Sequence, residues 1–311
     1  MKILHHGGRM SHCTHFIYRI IGLLVLSLSL LASAIFSRAE ESKSRKLVIV
    51  AGRPSHGPGD HEFNAGCMLL QKCLKESNPD LSVALVKGGW PKDVSVFDDA
   101  DAIFLYMDGG ARHPAIQPDR LKILDGLMAK GVGLGCAHFA VEVPKGEPGD
   151  AWKKWIGGYY EHQFSCNPFW SPKYKTFPDH PISNGVKPFS VRDEWYMNMR
   201  FRPEREGVVS ILEAKPSDDV RDGPYVYPRG PYKHIMDNTG RPEVMMWAVQ
   251  REDGGRGFGF TGGHVHNNWG EPNYRKVILN ALLWISKVEV PEEGVESVVS
   301  KQDLKMNMDP K

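Results

Sequence analysis

The stretch LVIVAGRPSHGPGDHEFNAGCMLLQKCLKES, residues 47–77, decides the fold. Its first five residues are all apolar, which is typical of a strand buried on both faces of a parallel sheet. A loop rich in Gly, Pro and His follows at residues 52–61. From residue 62 to 77, apolar residues recur at spacings of three and four, which predicts a helix with one apolar face. We therefore expect this stretch to form the first strand, loop and helix of an α/β domain.

The same alternation continues along the chain. Further apolar strands are predicted at residues 81–86, 102–106 and 132–136, with a second helix at 119–130. Later strands are predicted at 208–214, 243–250 and 256–261, with a closing helix at 274–287. Glycines alternate with phenylalanines in the last of these strands, which indicates close approach to another backbone. Residues 143–241 are rich in Pro, Gly and aromatic residues, so we expect an insert of long loops and short strands. The pattern predicts a mostly parallel sheet covered by helices.

The first 39 residues have the pattern of a secretory signal peptide. An uncharged apolar run at residues 20–36 follows Arg19, and Ser37 and Ala39 supply small residues for a cut after Ala39. Because the run approaches the roughly 20 residues that span a bilayer, an uncleaved N-terminal anchor is the alternative. Either reading predicts an exported, periplasmic or secreted protein. Residues 40–46 are then a charged linker, and residues 288–311 a tail or a strap across the surface.

The charge balance argues against a nucleic-acid partner. Lys and Arg number 39, and Asp and Glu number 37. Lys2, Arg9, Arg19 and Arg38 lie in the leader, where there are no acids, so the remaining chain has 39 − 4 = 35 basic residues against 37 acidic ones. No basic excess is left to attract phosphates. Only one long apolar run exists, which excludes a multi-span membrane protein and leaves the leader as the sole expected membrane contact.

Histidines follow four of the predicted strands. They are His61 after the first, His113 after the third, His138 after the fourth, and His264 with His266 after residues 256–261. In open α/β sheets, ligands bind at the carboxyl ends of the strands. Convergence of these imidazoles would create a metal site or a histidine acid–base site. The alternative for any single histidine is a structural role in a turn.

The segment GVGLGCAHFA, residues 131–140, predicts a strand followed by a tight elbow that opens a helix. The elbow would display His138 above the sheet. Cys136 then lies two residues earlier, on the strand, where we expect it to be buried and inert. A Cys136 nucleophile with His264 as its base is the alternative. Cys67, Cys73 and Cys166 form no CxxC pair, so the chain is not a disulfide scaffold.

Taken together, motifs along most of the chain resemble the ThuA-like (trehalose utilisation) family of the class I glutamine amidotransferase-like superfamily. They are, in order, His61-Glu62, the elbow ending in His138, Gly157-Gly158 with His162, His180-Pro181-Ile182, Asp193-Glu194-Trp195-Tyr196, Gly262-Gly263-His264 and Asn280-Ala281-Leu282-Leu283-Trp284. The resemblance implies a flavodoxin-like, three-layer α/β domain over residues 47–287. It also implies a role in the use of disaccharides or keto-sugars. The elbow lacks the amidotransferase cysteine, so glutaminase activity is not expected. No nucleotide cofactor is expected either.

We therefore expect an exported carbohydrate-active enzyme, such as a hydrolase, that acts on a disaccharide or keto-sugar. Its expected catalytic residues are His138, Glu194 and His264, and a divalent metal such as zinc would be held by His61, His138 and His264. The expected substrate contacts are His61, Glu62, His162, Trp195, His266 and Trp269. The alternative is a non-catalytic sugar-binding or structural protein.

Three of these residues have structural alternatives. Asp193 could cap a turn while Glu194 pairs with Arg200 or Arg202, and His162 could anchor a loop. Hydrolysis of a glycosidic bond usually needs two carboxyl groups. The sequence offers Glu194 with Glu62 or Glu161, so the second carboxyl group is not identified.

Overall fold

The computed structural model describes residues 44–310, and the stretch at residues 47–77 begins its central sheet. The first half contains β1 (Lys46–Ala51), α1 (Phe63–Ser77), β2 (Ser82–Val86), β3 (Ala102–Tyr106), α2 (Pro118–Met128) and β4 (Gly133–Ala137). Their boundaries lie within two residues of those predicted. Every residue of β3 and β4 is buried, as expected for strands covered on both faces.

The insert is more regular than predicted. It begins with a ten-residue helix, α3 (Glu147–Ile156), where we expected loops and short strands. The signals for this helix were Pro148 in its first turn and Gly157 in the left-handed conformation at its end. Two-residue strands follow: β5 (Gly158–Tyr159), β6 (Phe169–Trp170), β7 (Lys173–Tyr174), β8 (Phe189–Ser190), β9 (Asp193–Glu194) and β10 (Arg200–Phe201). They pair as β5 with β10, β6 with β9 and β7 with β8.

The chain then returns to the central sheet. Its last elements are β11 (Val208–Ala214), two short helices α4 (Asp218–Asp222) and α5 (Lys233–Met236), β12 (Glu243–Gln250), β13 (Arg256–Phe260) and α6 (Pro272–Ile285). The close backbone approach predicted for β13 is confirmed at Gly257, where a Cβ atom would lie 2.1 Å from the carbonyl oxygen of Trp155. The short helices α4 and α5 were not predicted.

The sheet has seven strands in the order β11-β12-β13-β4-β3-β1-β2. All neighbours from β2 to β13 are parallel, and β12 runs antiparallel to both β11 and β13. Helices α1 and α6 contribute to one buried apolar cluster, and α2 and α3 to the other. This confirms the α/β, flavodoxin-like, three-layer fold with a mostly parallel sheet. It also brings the carboxyl ends of β1, β3, β4 and β13 to one edge.

The described part of the tail packs along the surface over α1 and the loop before it. Val290 and Val295 are buried, and Lys72 on α1 pairs with Asp303 at 2.6 Å. The predictions of a leader at residues 1–39 and of most of the linker at 40–46 lie outside the described residues. Within residues 44–310, no helix combines the length and the apolar character needed to cross a bilayer.

Candidate functional site

Three histidines from distant parts of the chain meet at this edge of the sheet. Nε2 of His61 lies 3.0 Å from Nε2 of His138 and 3.0 Å from Nδ1 of His264. Nδ1 of His264 lies 3.3 Å from Nε2 of His138. All three side chains are buried. The structure therefore brings together the three residues that the sequence proposed as a cluster.

Glu194 is the fourth member of this group. Its Oε2 lies 2.6 Å from Nδ1 of His264 and 3.7 Å from Nε2 of His138. Its Oε1 accepts a hydrogen bond from Nδ2 of Asn167 at 2.6 Å, which leaves Oε2 directed at the imidazoles. One ligand atom from each of the four residues lies within 4.8 Å of all the others. We call His61, His138, Glu194 and His264 the His/Glu cluster.

The outward ring nitrogens of the cluster face oxygen acceptors. Nδ1 of His138 donates to the carbonyl of Thr261 at 2.9 Å, and Nδ1 of His61 donates to Oδ1 of Asp108 at 3.2 Å. Nε2 of His264 lies 3.6 Å from Oδ1 of Asp60. A neutral imidazole that donates from its outer nitrogen has a bare lone pair on its inner nitrogen. The inner nitrogens of His61 and His138 therefore each carry a lone pair, and they lie 3.0 Å apart.

The protonation of the cluster follows from burial and from Glu194. Burial lowers the pKa of His138 well below its ordinary value, and the neighbouring His61 and His264 add to the effect. Burial also lowers the pKa of His264, but the hydrogen bond and charge of Glu194 outweigh it, so this pKa is raised overall. Glu194 thus favours the protonated form of His264, while burial favours the neutral form of His138. A cation bound here would take the place of that proton.

The donor set fits a zinc-like metal ion. Zinc with ligands at about 2.0–2.1 Å requires neighbouring ligand atoms about 3.3 Å apart when the geometry is tetrahedral. Five of the six separations between ligand atoms of the His/Glu cluster run from 2.6 to 3.7 Å around that value, and the sixth is within 4.8 Å. Imidazole and carboxylate ligands suit zinc and other first-row metals. The outward hydrogen bonds match the outer partners that metal-binding histidines usually have.

Backbone geometry and one buried carboxylate position these side chains. His61 and His138 both adopt positive φ, at 47° and 52°, in the loops after β1 and β4. The elbow at His138 is therefore confirmed, although it opens a single 3-10 turn (His138–Val141) and not an α-helix. The loop that carries His264 is held by Asp193, whose carboxylate accepts from the backbone N–H groups of Gly263 at 3.0 Å and Val265 at 3.2 Å. Asp193 thus caps a turn, as one of the alternatives held.

A cavity of about 600 Å³ opens above the His/Glu cluster. Its wall includes Glu142, a residue that the sequence did not single out. Burial raises the pKa of Glu142 to about 8, and the charge of Glu194 contributes to the increase. The nearest histidine is His162, whose Nδ1 lies 3.9 Å from Oε1 of Glu142. His162 also lines the cavity, in agreement with its predicted place.

The aromatic rings that line the cavity, Phe139, Tyr196 and Tyr227, are not the two that we expected in contact with substrate. Trp195 and Trp269 are fully buried in the apolar core and do not line the cavity. The indole of Trp195 donates to the carbonyl of Val191. Tyr227 lines the cavity and is 70 % exposed. The expectation that the two tryptophans contact the substrate is therefore corrected, because both rings pack into the same apolar core cluster.

Glu62 and His266 lie beside the site and face the tail. Glu62 is buried, and its carboxylate accepts from the N–H groups of Gly59 and Asp309 at 2.8 and 2.7 Å. Nε2 of His266 donates to the carbonyl of Leu304 at 3.1 Å. Neither residue lines the cavity, so the structure places both in the support of the His61 and His264 loops and not in substrate contact.

The structure also bears on the arginine partners considered for Glu194 and on the Cys136 nucleophile. Arg200 pairs with Glu161 at 2.9 Å, and Arg202 donates to the carbonyls of Lys153 and Lys154, so neither arginine neutralises Glu194. Cys136 is buried on β4, where burial raises the pKa of its thiol, and it does not line the cavity. The four cysteines of the described residues are free.

Sequence reasoning missed Glu142, Asn167 and the exposed ring of Tyr227. All three belong to the insert or its edge, where no periodicity marks which side chains face inward. Tyr196 was noted only as part of a motif. Its hydroxyl lies 3.3 Å from Nε2 of His138, and it lines the cavity. The one available signal for Glu142 was its position four residues after the elbow histidine.

Comparisons with known proteins agree with this architecture. The model of the ThuA family, described as trehalose utilisation, matches residues 48–285. The structure resembles a ThuA-like protein from Bacteroides uniformis with a TM-score of 0.53 and 14% identity, over 79% of this chain and 92% of that one. It also resembles a ThuA-like protein from Parabacteroides merdae with a TM-score of 0.51 and 16% identity, over 83% of this chain and 94% of that one. None of the curated proteins compared with the chain matches it significantly. The chain therefore belongs to the ThuA (trehalose utilisation) family.

Proposed function

We propose that this protein is a metal-dependent enzyme of carbohydrate utilisation, acting on a disaccharide or keto-sugar in the cavity above the His/Glu cluster. The observation that carries the proposal is the meeting of three imidazole nitrogens within 3.0–3.3 Å, with Glu194 beside them. Such a group of lone pairs is stabilised by a proton or by a cation. Its fixed outer partners favour a permanent cation site.

The ligands would be His61, His138, His264 and Glu194. A bound zinc-like ion would act as a Lewis acid on a sugar carbonyl or lower the pKa of a water molecule. Asn167 orients Glu194, Thr261 and Asp108 orient the rings of His138 and His61, and Asp193 holds the loop of His264. Asp108, Thr261 and Asp193 do not line the cavity above the cluster, whereas Asn167 does.

Glu142 provides the proton donor that the sequence did not identify. With a pKa of about 8, its carboxyl group is largely protonated at neutral pH. It lies on the wall of the same cavity as Glu194. A protonated carboxyl group can donate to an oxygen that gains negative charge or leaves in the reaction. We assign Glu142 this role of general acid.

The cavity wall suits a sugar. Tyr227, Val226 and Phe139 offer apolar surface for the faces of pyranose rings, and His162 and Asn167 offer polar atoms for hydroxyl groups. Family membership supports a carbohydrate substrate. We also propose that the protein works outside the cytoplasm, because residues 1–39 have the pattern of a secretory leader.

The decisive experiment measures metal content and turnover together. Full-length protein purified without added metal should contain about one zinc or similar ion per chain, as expected of a preformed site with several ligands. It should convert at least one member of a panel of disaccharides and their 3-keto derivatives. The variant His138→Ala should lose both properties, while His234→Ala, which removes an exposed histidine, should keep both. Absence of metal and of turnover, with equal sugar binding by both proteins, would show a non-catalytic sugar-binding protein instead.

A further inference from the structure

A second cavity of about 630 Å³ adjoins the first. The two cavities share Gly109, Arg112 and Phe139 in their walls. The second is formed by the loops that follow β1, β2 and β3. Because the chain passes from β1 to β2 on one side and to β3 on the other, this is the point where the strand order reverses. Ligands of open α/β sheets bind at such points.

Three arginines, Arg53, Arg112 and Arg120, line this second cavity, which we call the arginine pocket. Within residues 44–310, none of them forms a salt bridge with a carboxylate. Arg53 donates from Nε to the carbonyl of Gly88 at 3.3 Å, and Arg120 donates from Nη1 to the carbonyl of Pro114 at 2.8 Å. These bonds hold the guanidinium groups of Arg53 and Arg120 without neutralising them, and the side chain of Arg112 is exposed. The pocket therefore carries a concentrated positive charge.

The acidic residues near the arginine pocket are engaged elsewhere. Asp108 is the one carboxylate in its described lining, and Oδ1 of Asp108 accepts from Nδ1 of His61 and from the hydroxyl of Ser55. Asp119 lies in the first turn of α2 but is exposed and does not line the pocket. Three arginines and one carboxylate line the pocket, so the net charge of its lining is positive.

The amino end of α2 borders the pocket through Gln117 and Arg120 but does not carry the anion site. Pro118 has no N–H group, and the N–H groups of Arg120 and Leu121 both donate to the carbonyl of Gln117. The three arginine side chains therefore supply the charge. Arginine guanidinium groups recognise phosphate and carboxylate with paired hydrogen bonds. Three such cations are more than a neutral sugar requires.

We propose that the arginine pocket binds an anionic group, a phosphate or a carboxylate, of a sugar whose other end lies at the His/Glu cluster. The shared wall at Gly109 and Arg112 allows one ligand to occupy both cavities. This inference rests on the proposed function for the identity of the ligand as a sugar. The anion site itself depends only on the three arginines.

The test is calorimetric binding to the metal-loaded full-length protein at low ionic strength. Two matched pairs serve as probes: trehalose with trehalose 6-phosphate, and glucose with glucuronate. The anionic member of at least one pair should bind at least tenfold more tightly, and the preferred pair distinguishes phosphate from carboxylate. The double variant Arg53→Gln/Arg112→Gln should lose this preference. Arg205→Gln, which removes an exposed arginine outside both cavities, should retain it.

Inorganic phosphate separates this inference from the proposed function. If neutral and anionic sugars bind equally and the double variant changes nothing, the proposed anion site is wrong and the enzyme proposal stands. If the protein holds no metal and converts no sugar, yet binds phosphate in a manner lost in Arg53→Gln/Arg112→Gln, the anion site stands and the enzyme proposal fails. Phosphate binding of equal strength in all variants would also overturn the assignment of anion binding to the arginine pocket.

Discussion

Oε2 of Glu194 lies 2.6 Å from Nδ1 of His264, although 70 residues separate the two along the chain. The contact joins the insert to the loop after β13 directly over the ends of the parallel strands. Glu194 is also what raises the pKa of His264 against the effect of burial. The contact thus links the carboxylate of the insert to the imidazoles of the sheet edge.

Replacing Glu194 with Gln should weaken metal binding. The amide keeps the shape of the side chain but removes the negative charge next to His264, so we expect about 10-fold to 100-fold lower affinity for zinc, a loss typical of changes around metal ligands. In the unmodified protein, zinc at 100 times its Kd should stabilise the fold by about 2.7 kcal/mol. Thermal unfolding with and without a chelator measures both effects. An identical metal-dependent shift in Tm for Glu194→Gln would remove Glu194 from the ligand set.

Replacing Asn167 with Ala tests the orientation of Glu194. The substitution removes the hydrogen bond to Oε1 at 2.6 Å and frees the carboxylate to rotate. We expect zinc affinity to fall by about 10-fold, in the range for outer partners of metal ligands. Asn268→Ala is the matched control, because its amide donates to the carbonyl of Arg192 on the exposed surface. Equal losses in both variants would indicate a general effect on the fold.

Replacing Asp193 with Asn should destabilise the loop that carries His264. The buried carboxylate accepts from the N–H groups of Glu194, Gly263 and Val265 and from the hydroxyl of Tyr274. An amide cannot satisfy all of these donors, so we expect a loss of about 1–3 kcal/mol in the free energy of unfolding. Urea denaturation gives the value. Asp237→Asn, at an exposed ion pair, should change stability by less than about 1 kcal/mol.

Glu142 should make the stability of the metal-free protein depend on pH. Its pKa is about 8 in the folded protein, against an ordinary value of 4.5. Between these values the folded state holds a proton that the unfolded state releases, so the free energy of unfolding falls as the pH rises. Glu142→Gln removes this decrease. The free energy of unfolding of the variant relative to the unmodified protein should therefore be at least about 1 kcal/mol higher at pH 8 than at pH 5. Denaturation curves at both pH values measure the difference.

The control for Glu142 is Glu252→Gln, at an exposed position, whose stability difference from the unmodified protein should be the same at both pH values. In the metal-loaded enzyme, Glu142→Gln should lower kcat by about 100-fold or more, the usual contribution of a general acid. A variant with full activity would assign Glu142 a structural place in the cavity wall. The expected pH dependence of the stability of Glu142→Gln does not depend on the result of this activity measurement.

Periodicity alone was enough to predict the central sheet and the edge at which the histidines meet. Buried parallel strands are apolar throughout, and their carboxyl ends share one edge, so His61, His138 and His264 could be grouped from their positions after strands. Glu194 and His162 were predicted from their motifs, but only the tertiary structure decided which other side chains of the insert and its edge complete the site. Glu142, Asn167 and Tyr227 reach the cavity, while Trp195 is buried. Irregular segments have no repeat that marks an inward face, and the position of each side chain there depends on contacts with residues far along the chain.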